Sequence, residues 1–478
     1  MTRATLKLCT DDDVDRIHEA AKRVLAQVGA RITTKDARDL LLKAGCTLEG
    51  EDLIKIPPEL VETALEQAPT RFTIYDRNGQ PSLDLGAGNV YVGAGCTNLN
   101  YLHPETNLVE DFTLRSIAET ALLTDALPNL DFLTTPGVVR PSPDLPLSIV
   151  NQEEFLAMTT NTTKPLMVLI AGGPELSDIY DMAELIAGGP DALRERPFVV
   201  PYLNSVSPLL FNPETLDKLF IAVDRGLPVC CQAAPQIGAT GPVTVAGTLT
   251  VSAAETLCGL VLAQLRRPGT PFISGTVPFS MDMRYGTVTC GGPDGLRFMV
   301  AMGQLCRRWG LPLVGMSFGG DSKDADEQAV LEAGYYGFGA VLAGVDMVFD
   351  AGCVEGGLLF SPVLAVIADE LVAMTRGAVE PLVVDEDSIA FDVIKDVGPG
   401  EVFLGEDHTL AHFRELWTPQ ILDWRGRRQW EEDGSETLRA RATARVLEIL
   451  GSHEVPPLPE DVLAGMRGII EASRAPAN

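Results

Sequence analysis

The chain has 478 residues, 46% of them hydrophobic, and carries a formal charge of −29. That apolar content supports a packed core and excludes disorder for the bulk of the chain. The acidic balance argues against a nucleic-acid backbone or an anionic membrane as partner.

Residues 1–88 read as an N-terminal extension of helices and a small sheet. Val14, Ile17, Ala21, Val24 and Val28 recur at helical spacing and predict a helix from Asp12 to Val28 that stops at Gly29. Thr34 to Ala44 repeats the pattern and closes on Gly45, and Ile56-Pro57-Pro58-Glu59 opens a third helix with proline in its first turn. Phe72–Arg77 and Ser82–Leu85 predict two short strands around the turn Asn78-Gly79.

A rhythm begins at residue 90. Apolar, β-rich runs occur at Val90–Gly95, Phe132–Val139, Pro165–Ala171, Phe198–Leu203, Pro228–Ala233, Pro271–Val277, Leu311–Ser317 and Val345–Asp350, each followed by a segment of helical spacing. Runs buried on both faces and alternating with helices predict a parallel sheet. Eight of them predict closure into a (β/α)8 TIM barrel over 89–380, with an open doubly wound sheet as the alternative. Residues 381–478 differ in character. A Gly398-Pro399-Gly400 turn, a histidine-bearing segment and Trp417, Trp424 and Trp430 predict a C-terminal cap or oligomerisation arm, hence a homo-oligomer.

The nine cysteines show no CxxC or other regular pattern, as expected of reduced thiols in a cytoplasmic protein. Residues 1–13 hold no apolar core of signal-peptide length, and no uninterrupted apolar run approaches the roughly 20 residues that cross a bilayer. A soluble chain without a membrane partner is expected.

In a barrel, chemistry collects at the carboxyl ends of the strands. The densest such stretch runs from Gly315 to Gln328, where Asp321, Ser322, Lys323, Asp324 and Asp326 follow an apolar run and a glycine pair. Asp321 or Ser322 as a helix cap explains part of it. No Ser-His-Asp order, Walker sequence or HExxH motif is present. His408 and His412 stand four apart, but a structural role suits them better than catalysis, and no catalytic metal is expected. What remains is carboxylates beside aromatics: Phe279, Tyr285 and Phe318 past strands six and seven, Asp282 and Arg284 between them, and Tyr101 and Tyr202 near earlier strand ends. Such a set suits a quaternary ammonium, which gains about 0.5–2 kcal/mol from a ring face.

Several segments fall in the order of a known family: Ile56-Pro57-Pro58-Glu59-Leu60-Val61, Asp125-Ala126-Leu127-Pro128-Asn129, Asn161-Thr162-Thr163-Lys164-Pro165 and Gly238 to Thr244. Met281-Asp282-Met283-Arg284, Asp321-Ser322-Lys323 and Val397-Gly398-Pro399-Gly400 through His408-Thr409-Leu410 follow. From about residue 10 to 450 the chain resembles the corrinoid-dependent trimethylamine methyltransferase family. The resemblance implies a (β/α)8 barrel that demethylates a methylated amine and passes the methyl to the Co(I) corrinoid of a separate carrier protein. Trimethylamine-specific members carry pyrrolysine, which this sequence lacks, so the chain resembles the pyrrolysine-free branch, which includes glycine betaine demethylases. Glycine betaine is therefore the favoured substrate, with proline betaine or carnitine-type betaines as alternatives. No Asp-x-His-x-x-Gly motif is present, so the corrinoid is expected on the carrier and not held tightly by this chain.

With that substrate, Asp282 or Asp321 would balance the ammonium charge, and Arg284 or Lys323 would anchor a carboxylate. Phe279, Tyr285 and Phe318 would surround the cation, with Asp350 and Glu355 as further pocket residues. Two other readings stand beside it. One is a lyase or hydrolase using Lys323 as base, which the flanking aspartates oppose by favouring the charged amine. The other is a quaternary-amine-binding protein without catalysis.

Overall fold

The eight apolar runs become eight parallel strands of a closed barrel, paired in sequence order with the last strand against the first. The structure, a computed structural model, describes residues 5–277 and 279–474. The strands are β1 (Tyr91–Ala94), β2 (Phe132–Thr134), β3 (Leu166–Val168), β4 (Val199–Asn204), β5 (Val229–Ala233), β6 (Phe272–Thr276), β7 (Leu313–Met316) and β8 (Met347–Ala351). Covering helices follow each: α1 (Leu114–Ala126), α2 (Leu147–Asn161), α3 (Gly173–Ala187), α4 (Pro213–Arg225), α5 (Val245–Arg266), α6 (Pro293–Trp309), α7 (Glu327–Ala343) and α8 (Pro362–Val379). Closure removes the sheet edges that an open arrangement would leave.

Alternation along the strands sorts side chains into two cores. Phe132, Met167, Val200, Tyr202, Cys230, Ile273, Val314, Met316, Met347 and Phe349 fill the lumen. Their neighbours in sequence, such as Leu133, Val199, Phe272, Leu313 and Val348, face the helices. Local signals fix the helix ends. Asp326 caps α7 by accepting the Ala329 N–H at 3.0 Å, and Gly344 ends it in the left-handed region at φ +71°. The cap is thus Asp326, with Ser322 Oγ donating to its carboxylate at 2.6 Å.

The N-terminal segment shares its core with the barrel's outer layer: Leu25, Ile54, Ile56 and Val61 lie in one cluster with Leu257 and Val261 of α5. Strand Ala30–Ile32 pairs in parallel with Leu210–Phe211 in the loop after β4. Helix α5 is long and apolar enough to cross a membrane, yet most of it is buried here, beneath the helices Asp11–Arg23 and Pro58–Gln67. The hairpin Phe72–Tyr75 with Pro81–Leu85 inserts Ile74, Leu83 and Leu85, all fully buried, into the lumen core. It plugs one end of the barrel.

Beyond α8, the helix Leu438–Ser452 starts at a Thr437 cap and packs on α8 and α1. A last helix, Glu460–Arg474, lies across α2 and α3 and was not legible as an element beyond the Pro456-Pro457-Leu458-Pro459 break. Arg77 reaches the Pro456 carbonyl and His453 Nε2 meets Asp125 Oδ2 at 2.8 Å, tying this tail to the plugged end.

Candidate active site

The open end of the barrel lies where the strands finish, and its backbone is strained in one sector. Among the described residues, Thr97 (+54°), Phe318 (+61°), Asp350 (+91°) and Glu355 (+54°) adopt positive φ at or just past the ends of the adjacent strands β7, β8 and β1. Such conformations cost about 1–3 kcal/mol each and persist only where the surroundings enforce them.

Asp350 is the centre of this sector. Simple alternation along β8 puts Met347 and Phe349 in the lumen and would turn Asp350 outward. The pairing of β8 with β1 slips between Val348 and Ala351, and this bulge re-aims the side chain. The Asp350 carboxyl is fully buried, with the Cys96 and Cys353 thiols as polar neighbours, and its Oδ1 has no hydrogen-bond partner among the described residues. Burial pushes its pKa up to about 7, hydrogen bonding from the Cys353 and Cys96 thiols pulls the other way, and the nearby Asp321 carboxylate adds to the rise. A Cβ at Gly319 would stand 2.7 Å from Asp350 Oδ2, so that position leaves room only for glycine.

Aromatic faces come next to this carboxyl. Tyr202 and Phe349 meet edge to face at 5.8 Å between centroids, both in the lumen core. Burial raises the Tyr202 phenol well above its ordinary range, and the Cys96 and Asp350 side chains add to the shift. Tyr202 donates to Gln232 Oε1 at 2.6 Å, which leaves the buried Gln232 Nε2 without a partner among the described residues. Thr134 Oγ1, on the lumen-facing side of β2, is also buried and unpartnered. Buried polar atoms are nearly always satisfied, so open ones at several strand ends are candidates for contact with a ligand.

Asp321 has a different task. Its carboxylate accepts the Cys290 and Gly291 N–H groups at 3.0 and 2.7 Å and the Cys290 thiol at 3.2 Å. Glu332 of α7 in turn accepts the Asp321 N–H at 2.6 Å and the Ser322 N–H at 3.3 Å. These two acids lash the β7 loop to the β6 loop and to α7. Lys323 is exposed and donates to the Asp321 carbonyl at 2.6 Å. The Glu355 N–H bonds the Ser322 carbonyl at 2.7 Å, closing the β8 loop onto the same loop.

The aromatics singled out in the sequence separate. Phe279 packs against the lumen core just past β6. Phe318 points the other way: its positive φ turns the ring outward, over Gly337 of α7. Tyr285 sits on the rim hairpin formed by Ser280–Asp282 and Thr287–Thr289, and is 76% exposed. Asp282 and Arg284 pair with each other on that hairpin at 2.6 Å, and the guanidinium holds the Asp282 carboxyl down at about 2. The structure therefore brings Asp350, Phe279, Tyr202, Phe349 and Gln232 toward one space and leaves Arg284, Tyr285, Lys323 and Phe318 outside it. Tyr101 stacks in the outer core on Phe360 and bonds Glu119.

The family model for trimethylamine methyltransferase (MTTB) matches residues 1–476. The chain belongs to the trimethylamine methyltransferase family. Among similar members of this family is glycine betaine methyltransferase of Desulfitobacterium hafniense strain Y51, 31% identical over 97% of this chain and 96% of that protein. Trimethylamine methyltransferase MttB of Desulfitobacterium hafniense strain DSM 10664 / DCB-2 is 30% identical over 97% and 93%. The solved monomethylamine methyltransferase (MtmB) of Methanosarcina barkeri covers 98% of the chain at a TM-score of 0.51 and 12% identity, a likeness of fold. Like its named relatives, this member of the trimethylamine methyltransferase family is a methyltransferase, and its (β/α)8 barrel presents the site just described at the strands' carboxyl ends.

Proposed function

We propose that the protein removes a methyl group from a quaternary amine, glycine betaine in the first instance, and passes it to the Co(I) corrinoid of a separate carrier protein. The observation that carries this reading is the buried Asp350 carboxyl, with an unpartnered oxygen, beside the Tyr202 and Phe349 rings. The influences on its charge are burial, two thiols and a second carboxylate, so a bound cation would supply the missing counter-charge. A quaternary ammonium has no N–H to donate and is held by such a charge and by ring faces.

The far end of a betaine is a carboxylate. Arg284 is engaged by Asp282 and lies exposed on the rim, and Lys323 is exposed and bonded to a carbonyl. The open donors on the lumen side are Gln232 Nε2 and Thr134 Oγ1. One site thus pairs an unsatisfied acceptor with unsatisfied donors, which suits a zwitterion.

The donor chemistry asks little of the protein. A quaternary ammonium leaves as a neutral tertiary amine, so no proton has to move on the nitrogen. The corrinoid, when docked, supplies the nucleophile. The chain's own residues bind the cation, orient one methyl toward the mouth and exclude water. The rim fits a large partner: Leu99, Val138, Val206, Val243, Met283 and Leu358, each exposed, come from the loops after β1, β2, β4, β5, β6 and β8. Exposed apolar residues arranged around a site in this way mark a docking surface. All nine cysteines are free thiols, in keeping with a cytoplasmic setting.

Anaerobic incubation with a betaine panel, Co(I) corrinoid and cognate carrier tests the reading, with loss of Co(I) absorbance and formation of the tertiary amine as readouts. Turnover of glycine betaine without turnover of trimethylamine is expected. Turnover of trimethylamine alone, or of no quaternary amine, would sink it.

A further inference from the structure

Residues 376–420 contain no buried residue. Their helices, Glu386–Ile389, Phe391–Val397 and Asp407–His412, run four, seven and six residues. Helices this short are unstable alone in water, and a segment with no core needs a staple. At the point where two of them meet, Asp387, His408 and His412 bring one ligand atom each to within 4.8 Å of one another.

The spacing fits a metal. His408 and His412, four residues apart on one helix face, place their rings 4.4 Å apart between centroids. His412 Nε2 lies 3.4 Å from Asp387 Oδ2, and a hydrogen bond of 3.1 Å between His408 Nε2 and the Asp387 carbonyl oxygen holds the two segments together. Ligands about 2.1 Å from a tetrahedral ion stand roughly 3.4 Å apart. The outer nitrogen of His412 is already held, with Nδ1 3.0 Å from Glu415 Oε1. A carboxylate on the far side of a histidine fixes its tautomer and raises its basicity as a ligand.

We propose that Asp387, His408 and His412 bind a divalent transition ion, zinc in the first instance, with Glu415 orienting His412. Two imidazoles and a carboxylate are borderline donors that suit zinc over calcium or magnesium. The site lies on the C-terminal arm, apart from the Asp350 pocket, and its role is to pin Glu386–Ile389 to Asp407–His412. A fourth coordination position stays open to water.

The test uses the full chain, stripped with chelator and titrated with Co(II), then with Zn(II). About one cobalt per chain with the intense visible bands of four-coordinate cobalt, displaced by zinc, is expected. His408→Asn with His412→Asn should abolish those bands, and Glu415→Gln should weaken binding about 10- to 100-fold. Zinc should also slow proteolysis between residues 380 and 416 in the unsubstituted chain and not in the double variant. Unchanged helical content and melting temperature in the variants would show that the barrel stays folded, since residues 376–420 contribute no buried residue. Asp387→Asn is the milder control, keeping size while removing the charge. Equal cobalt binding by the unsubstituted chain and the double variant, or no binding by the unsubstituted chain, overturns the proposal.

Discussion

The two ends of the barrel are built from the same strands and do opposite things. At the plugged end, Ile74, Leu83 and Leu85 of the hairpin pack into the apolar lumen core, and the buried Asp346 carboxylate is satisfied by the Gly86 and Leu313 N–H groups at 2.8 and 2.9 Å. At the open end, Asp350 Oδ1, Gln232 Nε2 and Thr134 Oγ1 are buried without partners, and the backbone is forced to positive φ at four positions. The first arrangement supplies stability. The second forgoes it, and the difference is what a binding site at the carboxyl ends of the strands requires.

Substitutions at each end should therefore separate activity from stability. The largest effect is expected from Asp350→Asn, which should lower kcat/KM for a quaternary amine by about 100-fold or more, about 3 kcal/mol. The same change should raise the melting temperature at pH 8. The Asp350 carboxyl titrates near 7 when folded and near 4 when unfolded, so the unfolded chain loses its proton first as pH rises. Stability is thus lost across that window, by up to about 4 kcal/mol, and the neutral amide escapes the loss. A variant that loses stability at pH 8 along with activity would erase the contrast.

At the plugged end, Ile74→Ala should cost about 2–4 kcal/mol in denaturant unfolding while leaving KM unchanged. A large rise in KM would show that the two ends are coupled. Gln232→Leu should raise KM for glycine betaine by roughly tenfold, near 1–2 kcal/mol, and leave a quaternary amine without a carboxylate unaffected. Equal losses for both substrates would remove Gln232 from carboxylate recognition. Arg284→Ala is expected to change kcat/KM less than threefold, because an exposed pair with Asp282 contributes about 0–1 kcal/mol. A loss comparable to that of Asp350→Asn would return the anchor role to the rim.

The barrel was readable because buried parallel strands leave continuous apolar runs, and each of the eight runs became a strand. The hairpin Phe72–Leu85 was readable as strands from its Asn78-Gly79 turn, but its destination in the lumen depends on contacts distant in sequence. The site was less legible for local reasons. Period-two alternation assigns Phe349 to the lumen but misassigns Asp350, because a bulge is a defect in that period. Phe318 looked like a pocket residue until positive φ turned it onto Gly337. Asp282 and Arg284 are two residues apart and satisfy each other, and spacing alone does not reveal whether neighbouring charges pair or wait for a ligand. Gln232 was legible as the polar residue that ends an apolar strand run.

The central claim is that Asp350 is the counter-charge of a substrate cation, and calorimetric titration of glycine betaine against pH tests it most directly. A bound cation favours the ionised carboxyl, so affinity should fall about tenfold per unit as the pH drops below about 7, with proton release on binding. Asp350→Asn should bind more weakly and show no such slope. Equal affinity and the same pH dependence in both proteins would contradict the account.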